Sequence, residues 1–550
     1  MDDPHSFTRK VVAQLQTVPC DVAASELPAY SYHDAPCNGN GDGNRGDDNA
    51  ATAASDAAVA QFATSSTPHT FRLGTGASQF VSALLPALLK AHHEILFVTC
   101  FWAQSKSLSD LSDALSRLAT ARSSSPQSIQ PSLRIRICLS SRSLLQKLLH
   151  TSSRDGYVYP PSTWVSQLGL PSPDVLAAGG IDLSVKSLFF LPFSVMHPKY
   201  MVVDRKRAFL PSCNVSWEPW LEDCVEVTGE AVGPLVSFYA RTWGDDLPGW
   251  EGEEPPEAAG CEDGEADGLP SVSSPFEIGP VDADGPGSIL VRFPSSAAPL
   301  PTVILPSSHH RNPLFRPFPW QDYAPPPPTP LNLAMLQLFS SALRCVYIHS
   351  PNLTAEAVIV AVLAALGRGV DVDIVTGERM MVYEQILTAG TTTARCVRNL
   401  IKRYNTLLER RRQQQQQQQQ QQPEQNGIGR LTIMFYQPLR HPNKGPDEEQ
   451  AILPNPPQQA QPPSSPPSKK NTCGFAVDTE QPVHSHIKLT IVDGEHTVLG
   501  SGNMDRASFF TSQELGILFH STTFAHAVQS AVDRVLDGRL RQVYPPPFSE

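Results

Sequence analysis

The sequence predicts an α/β chain of two fused, pseudo-two-fold related repeats, each a mixed sheet flanked by helices, together with disordered segments. Three observations carry this. Strand-like and helix-like patterns alternate along the chain. The alternation runs through twice in the same order. The stretches that interrupt it are strongly biased in composition.

Each repeat opens with an amphipathic helix pattern, Phe80–Leu89 in the first and Leu333–Ala342 in the second. An apolar strand follows, Glu94–Thr99 and Arg344–His349, then a helix, Leu108–Ala119 and Ala355–Leu366. The next strand alternates in polarity, Leu133–Cys138 and Val370–Val375, and each repeat closes on a His-x-Lys strand. The biased stretches set the boundaries. Residues 1–68 are expected to be disordered, with order beginning near Phe71. Residues 69–243 form the first repeat, 244–311 an acidic and Pro-rich linker, and 541–550 a tail. Residues 312–540 form the second repeat, with a Gln/Pro-rich insertion over 410–475 that includes the tract Gln413–Gln422.

At 550 residues the chain is too long for one ordinary core, and its 40% hydrophobic content is enough to build two. The 52 prolines point to extensive linker. A net charge of −12 argues against a protein that coats itself in nucleic acid. The ten cysteines form no C-x-x-C pair, so they read as thiols of a reducing compartment and no zinc site is expected. No signal-peptide pattern is visible, and Phe80–Leu89 and Ala357–Leu366 are too short to span a bilayer. A cytoplasmic or peripheral membrane protein is expected.

The chemistry sits in a motif that occurs twice. The first copy reads His197-Pro198-Lys199, Asp204, Ser212 and Asn214; the second reads His486-Ile487-Lys488, Asp493, Ser501 and Asn503, at identical spacing. Glu226 lies twelve residues after Asn214, and Glu514 eleven after Asn503. The residues after each lysine are apolar and β-branched, so His and Lys at i and i+2 are expected on one face of a strand. The aspartate then ends that strand at a turn, and the returning strand brings Ser and Asn alongside. Two imidazoles, two ammonium groups and two amides converging on one point make a site for a phosphate diester. One histidine would attack, the other would protonate the leaving oxygen, and Lys and Asn would neutralise the non-bridging oxygens.

These residues resemble the H-x-K-x4-D-x6-G-S-x-N signature of the phospholipase D superfamily, over roughly residues 71–243 and 312–540. The resemblance implies a covalent phosphohistidine, with His197 as nucleophile and His486 as general acid and base. It also implies a phosphate clamp of Lys199, Lys488, Asn214 and Asn503, and no metal or other cofactor. The acidic residues are implied to pair across the halves, Glu226 with His486 and Glu514 with His197. The stretch Asn503–Glu514 is similar to the cardiolipin synthase and phosphatidylserine synthase branch, with Arg506 one place early. Pro211 stands where the family has glycine, which removes a backbone N–H.

Plainer roles compete at several positions. Asp204 and Asp493 are expected to fix turns through backbone bonds. Ser212 and Ser501 could support the histidines or only the turn. Trp102 and His349 could line a cleft at strand ends or pack in the core, and His484 is a bystander. Lys402, Arg403 and Arg410 to Arg412 read as a solvated helix face, with an anionic lipid or nucleic acid as the alternative partner. The leading function is hydrolysis of, or phosphatidyl transfer from, a phospholipid by a monomer that contacts membranes peripherally. A nuclease using the same site and a catalytically idle lipid- or protein-binding scaffold are the alternatives.

Overall fold

The computed structural model describes residues 63–124, 131–143, 156–190, 194–244, 275–280, 287–309, 325–418, 427–439, 470–476 and 480–546 apart from a few single positions, with isolated residues outside these ranges. Most of 1–68, most of the insertion 410–475, residues 419–422 of the Gln tract and all but Phe318 and Trp320 of the aromatic stretch 315–323 lie outside the described residues.

Among the described residues the first half contributes ten strands. They are β1 (Ala63–Thr75), β2 (Glu94–Phe101), β3 (Leu133–Ser141), β4 (Tyr157–Val158), β5 (Ile181–Ser187), β6 (Phe189–Phe190), β7 (Ser194–Val195), β8 (Tyr200–Val203), β9 (Arg207–Pro211) and β10 (Trp220–Thr228). The remaining eleven are β11 (Glu277–Pro280), β12 (Ile289–Arg292), β13 (Leu300–Ser307), β14 (Cys345–Ser350), β15 (Asp371–Thr376), β16 (Leu431–Tyr436), β17 (His484–Ser485), β18 (Leu489–Val492), β19 (His496–Gly500), β20 (Glu514–His520) and β21 (Leu540–Tyr544). All but β6 and β7 belong to one mixed sheet.

Hydrogen-bonded neighbours run β5, β3, β2, β8, β9, β10, β1 through the first half. They run β13, β20, β19, β18, β14, β15, β16, β21 through the second. In each half a parallel pair separated by a helix, Lys106–Ser124 or Glu356–Gly367, is followed by an antiparallel hairpin. That order reflects the patterning: buried β-branched runs make the parallel strands, and the crossover helices bury one face against them. The halves meet where Ala63–Ser66 of β1 pairs with Leu300–Val303 of β13.

The strands β1 and β13 correct the expected boundaries. Order begins at Ala63 rather than near Phe71, and residues 277–307 of the expected linker contain three sheet strands. β13 pairs with β20 as β1 pairs with β10, so it is an integral strand of the second half. Prolines at 301 and 306, with serine and polar flanks, hid it by breaking the alternation. The helix Thr393–Gln418 runs six residues into the Gln tract.

Three apolar clusters fill the molecule. One belongs to the first half and one mainly to the second. The third takes Val202 and Leu221 from the first half with Leu489 and Ile517 from the second, beneath the helices Val232–Trp243 and Thr522–Leu536. The site described below lies along this shared core.

Asp204 and Asp493 anchor each hairpin. Both adopt positive φ, 51° and 55°, a conformation that Asp tolerates at a turn. Their bonds go to the entry of the neighbouring strand rather than to their own turn. The Asp204 carboxylate accepts from the N–H groups of His92, His93 and Glu94, and Asp493 from those of Leu343, Arg344 and Cys345. Each aspartate thus ties the hairpin β8–β9 or β18–β19 to β2 or β14. Asp493→Ala is expected to cost about 3 kcal/mol in urea unfolding, because three amides lose a charged acceptor. A loss below about 0.5 kcal/mol would show that the tie is replaced by water.

Candidate active site

Each His-x-Lys segment leaves its own half to pair with the other. Met196 bridges Gln513 in parallel, and the His197 N–H donates to the Gln513 carbonyl at 3.0 Å. In the other direction β17 pairs in parallel with Trp220 and Leu221 of β10, and the His486 N–H donates to the Leu221 carbonyl at 2.8 Å. The expected i, i+2 placement therefore needs one correction. His and Lys lie in the extended segment just before β8 and β18, because their backbone bonds are taken by the opposite half.

The opposite strand also supplies the partner of each imidazole. Glu514 at the start of β20 accepts from His197 Nδ1 at 2.9 Å. His486 Nδ1 bonds to Glu222 at 2.9 Å, and this overturns the assignment of Glu226. Glu226 instead binds Arg207 and the Thr70 hydroxyl. The reason is register. Pro211 faces Cys224 across β9–β10, and Gly500 faces Gly516 across β19–β20. Two residues back from each partner stand Glu222 and Glu514. Counting from the asparagine fails because the second copy inserts a short helix, Arg506–Phe510, that the first lacks. Glu226, on the same strand four residues further, is displaced by about 13 Å at ~3.3 Å per residue. The signal that could have located Glu222 was the serine, which in both copies reaches the glutamate directly.

The Ser212 hydroxyl donates to Glu222 and the Ser501 hydroxyl to Glu514. The serines therefore hold the carboxylates that hold the histidines. Their own N–H groups bond to the carbonyls of Asp223 and Leu515, both at 2.9 Å. The bond forms in both halves although Pro211 precedes one serine and Gly500 the other. Gly500 is at φ 144°, and a Cβ there would lie 2.3 Å from the Leu515 carbonyl oxygen, so its own half requires glycine.

Lys199 and Lys488 are buried, and each ammonium donates to the carbonyl of its own histidine. Burial, then repulsion from Lys199, brings the Lys488 ammonium down to about 7. Burial likewise holds both histidines below the ordinary imidazole range, His486 furthest. Two buried lysines that repel each other beside two imidazoles held below their ordinary range form a site suited to an anion. Asn214 accepts from the Phe101 N–H at 3.2 Å. Asn503 donates to Asp505 at 3.1 Å.

The carboxylates differ. Burial alone would raise Glu514, but attraction and hydrogen bonding from His197, with the Ser501 hydroxyl, bring it below the ordinary range; the Ser508 hydroxyl is a further donor. Burial raises Glu222 to about 7. Its neighbour Asp223, buried where the other half has Leu515, is also raised to about 7 by burial and by Glu222.

The remaining candidates fall outside this cluster or at its edge. Trp102 is core, its indole N–H on the Leu168 carbonyl. His349 is buried, bonded to the Ser485 hydroxyl at 2.8 Å and brought down to about 3 by burial and then by Lys488; it lines a small cavity beside that lysine. His484 is exposed. Arg403 pairs with Glu356. The ring of Trp220 lies 4.9 Å from that of His486, and Trp217 packs edge-on against Phe101 at 6.0 Å. Among the described residues one triad, Glu495, His496 and His520, brings metal-type donors within 4.8 Å of one another, at the far end of β19 and β20.

Residues 335–536 match the family described as "Cardiolipin synthase, PLD-like domain". No curated protein matches the chain. Among solved structures, phosphatidylserine synthase of Haemophilus influenzae Rd KW20 is 14% identical, with 88% of this chain and 89% of that chain covered at a TM-score of 0.47. Polyphosphate kinase from Porphyromonas gingivalis is 9% identical, covering 84% and 47%, at 0.40. Nuc from Salmonella typhimurium, a phospholipase D family member, is 18% identical, covering 39% and 91%, at 0.22.

The raised carboxyl groups set an expectation for stability. A carboxyl whose folded value lies above its unfolded value makes the fold less stable as pH rises from the unfolded value toward the folded one. For Asp223 that window runs from its ordinary value of 3.8 to about 7. Asp223→Asn is therefore expected to raise the melting temperature at pH 8 more than at pH 4.5. Equal effects at both pH values would remove Asp223 as a buried, pH-sensitive acid.

Proposed function

With a phospholipase D-like domain of the cardiolipin synthase type as the premise, we propose that the chain hydrolyses a phospholipid phosphodiester or transfers its phosphatidyl group through a phosphohistidine. The observation that carries this is the pair of histidines, each held at Nδ1 by a glutamate of the other half, with both lysines buried and within electrostatic reach of both rings.

The residues suit the steps. Glu514 remains ionised and accepts a hydrogen bond from Nδ1–H of His197, which leaves the Nε2 lone pair free to attack phosphorus. A bond forms from Nε2 to phosphorus as the bond to the leaving alcohol breaks, and His486 Nε2 gives that oxygen its proton. In the second step His486 takes a proton from water or an acceptor alcohol, whose oxygen attacks phosphorus and displaces His197. Lys199 and Lys488 stabilise the charge on the non-bridging oxygens, with Asn214 and Asn503 placed to assist. Substrate also corrects the electrostatics. The phosphate anion offsets two cations and raises the proton affinity of His486, so the acid is charged when substrate is bound. This chemistry needs no metal.

Ser501 and Ser508 act through Glu514, Ser212 acts through Glu222, and Asp204 and Asp493 act through the hairpins. The lipid reading is supported by the family matched and by the acidic chain, with its net charge of −12. No helix among the described residues is long and apolar enough to cross a membrane, so a bilayer substrate would be met from its surface.

His197→Ala and His486→Ala are each expected to lower turnover of a phosphodiester by about a thousandfold or more, since the two histidines cannot replace each other. Glu222→Gln should cost at least about tenfold while Glu226→Gln stays near wild type, because only the former orients an imidazole. Near-normal activity in either His variant would remove the shared-site mechanism. For substrate, the purified chain is incubated with labelled phosphatidylglycerol vesicles, with and without glycerol or a primary alcohol, and separately with single-stranded DNA, all in EDTA. Phosphatidic acid without alcohol and a new phosphatidyl ester with it are expected. Cleavage of DNA alone would move the activity to the nuclease reading, and loss of activity in EDTA would refute metal independence.

A further inference from the structure

The helix Val382–Ala389 faces the wrong way for an ordinary surface helix. Its buried residues include Gln385, while Tyr383, Ile386 and Leu387 stand 85%, 52% and 58% exposed. A soluble helix turns its apolar stripe to the core; here residues at i, i+3 and i+4 turn it to solvent. Met381, exposed at the N-cap, adopts φ 53°, a strained conformation for a non-glycine residue. Glu384 is the sole charged residue between 380 and 390. Beside this face lies a stacked pair, Phe318 and Trp320, with centroids 4.6 Å apart and Trp320 71% exposed. One guanidinium fixes that adjacency: buried Arg506 donates to the carbonyls of both Phe318 and Thr388.

The patch is wired to the site. Gln385 donates to Asn352 at 2.8 Å, Asn352 donates to Asp505 at 3.3 Å, and Asp505 accepts from Asn503 at 3.1 Å. Arg506 itself opens the short helix whose Ser508 donates to Glu514. A contiguous exposed apolar surface marks an interaction site, and three observations choose its occupant. The helix that bears the surface is tied through Gln385, Asn352 and Asp505 to the candidate phosphate ligand Asn503, the surface carries almost no charge, and it combines aliphatic residues with Tyr and Trp, the residues that settle at a membrane interface. A nucleic acid would require cations here.

We infer that Met381, Tyr383, Ile386 and Leu387, with Phe318 and Trp320, form a docking face that seats the protein on a phospholipid bilayer beside the active site. This rests on the phospholipid reading above. The face enters the acyl–headgroup boundary and holds the site mouth against the surface, so a lipid phosphate reaches Lys199 and Lys488 without leaving the bilayer.

The test uses the full chain and an Ile386→Glu/Leu387→Glu variant, whose exposed positions spare the core. Mixed phosphatidylcholine–phosphatidylglycerol vesicles with brominated chains serve as the surface, and bis(p-nitrophenyl) phosphate as a soluble substrate. The double variant is expected to lose about tenfold or more in vesicle binding and in lipid turnover, since each glutamate must be desolvated at the interface. Its turnover of the soluble diester should stay within about twofold, because the site residues are untouched. Brominated lipid should quench tryptophan fluorescence, and Trp320→Phe should remove much of that quenching. Unchanged vesicle binding in the double variant would overturn the docking face. So would a wild-type dimer that the variant converts to monomer, which would make a second copy the occupant. If wild type binds vesicles through this face and cleaves the soluble diester but no lipid, the face stands and the lipid substrate falls. If it cleaves lipid equally well with and without the face, the reverse holds.

Discussion

Everything in this molecule depends on an exchange of backbone hydrogen bonds between its halves. The segment before the lysine of each His-x-Lys pairs with the strand of the opposite half that bears the glutamate: Met196 and His197 with Gln513, and Ser485 and His486 with Leu221. This fixes the height of each imidazole relative to a carboxylate it could not otherwise find. It also brings both His-x-Lys segments to one shared core, where Met196, Ile487 and Leu489 pack together. A His-x-Lys segment paired within its own half would carry its histidine away from the shared core, and each half would hold one imidazole without a partner.

The exchange imposes an electrostatic cost. Two lysines, His486 and the carboxylates Glu222, Asp223 and Glu514 are buried together, with His197 half-buried beside them. Burial of a charge is tolerable only where partners compensate it. Here the compensation is partial: Lys488 and Glu222 are both moved to about 7, so neither holds its charge firmly at neutral pH. Such a cluster is poorly suited to stabilising a fold and well suited to receiving an anion, the pattern that distinguishes functional from structural ionisable groups.

The alternating strands, the crossover helices and the duplicated motif were legible because they depend on local pattern. Burial of β2 and β14 is written in Ile95 to Val98 and Val346 to Ile348, and the hairpins follow from their β-branched runs and turn residues. The first strand of each half was not legible. β1 lies within a Ser/Thr-rich passage and β13 within a Pro-rich one, and both are strands because neighbours on either edge satisfy their backbones, a fact absent from their own residues. The error at Glu226 has the same origin. Glu222 and Glu226 both point to one face of β10, and spacing alone cannot choose between them; the choice is made by the register with β9 and by the length of the loop after Asn214. Asp204 and Asp493 were legible as turn residues, but their bonds to β2 and β14 span more than a hundred residues of sequence.

The two half-sites share a backbone and differ in proton affinity. Glu514 keeps its charge through His197 and the Ser501 hydroxyl, and the short helix Arg506–Phe510, inserted only in the second half, adds a second hydroxyl donor, Ser508. The first half has no such helix and places Asp223 next to Glu222, where the other half has Leu515; burial raises Glu222, and burial together with Glu222 raises Asp223. The proposed reaction requires this inequality. A nucleophilic imidazole must keep Nε2 free of a proton, which a firmly ionised Glu514 on Nδ1 favours. An imidazole that delivers a proton and then recovers one needs a partner that can itself approach neutrality, as Glu222 does. Two copies of one motif cannot fill two different roles while their surroundings are alike, so their chemical division of labour must come from the residues that the repeat does not share.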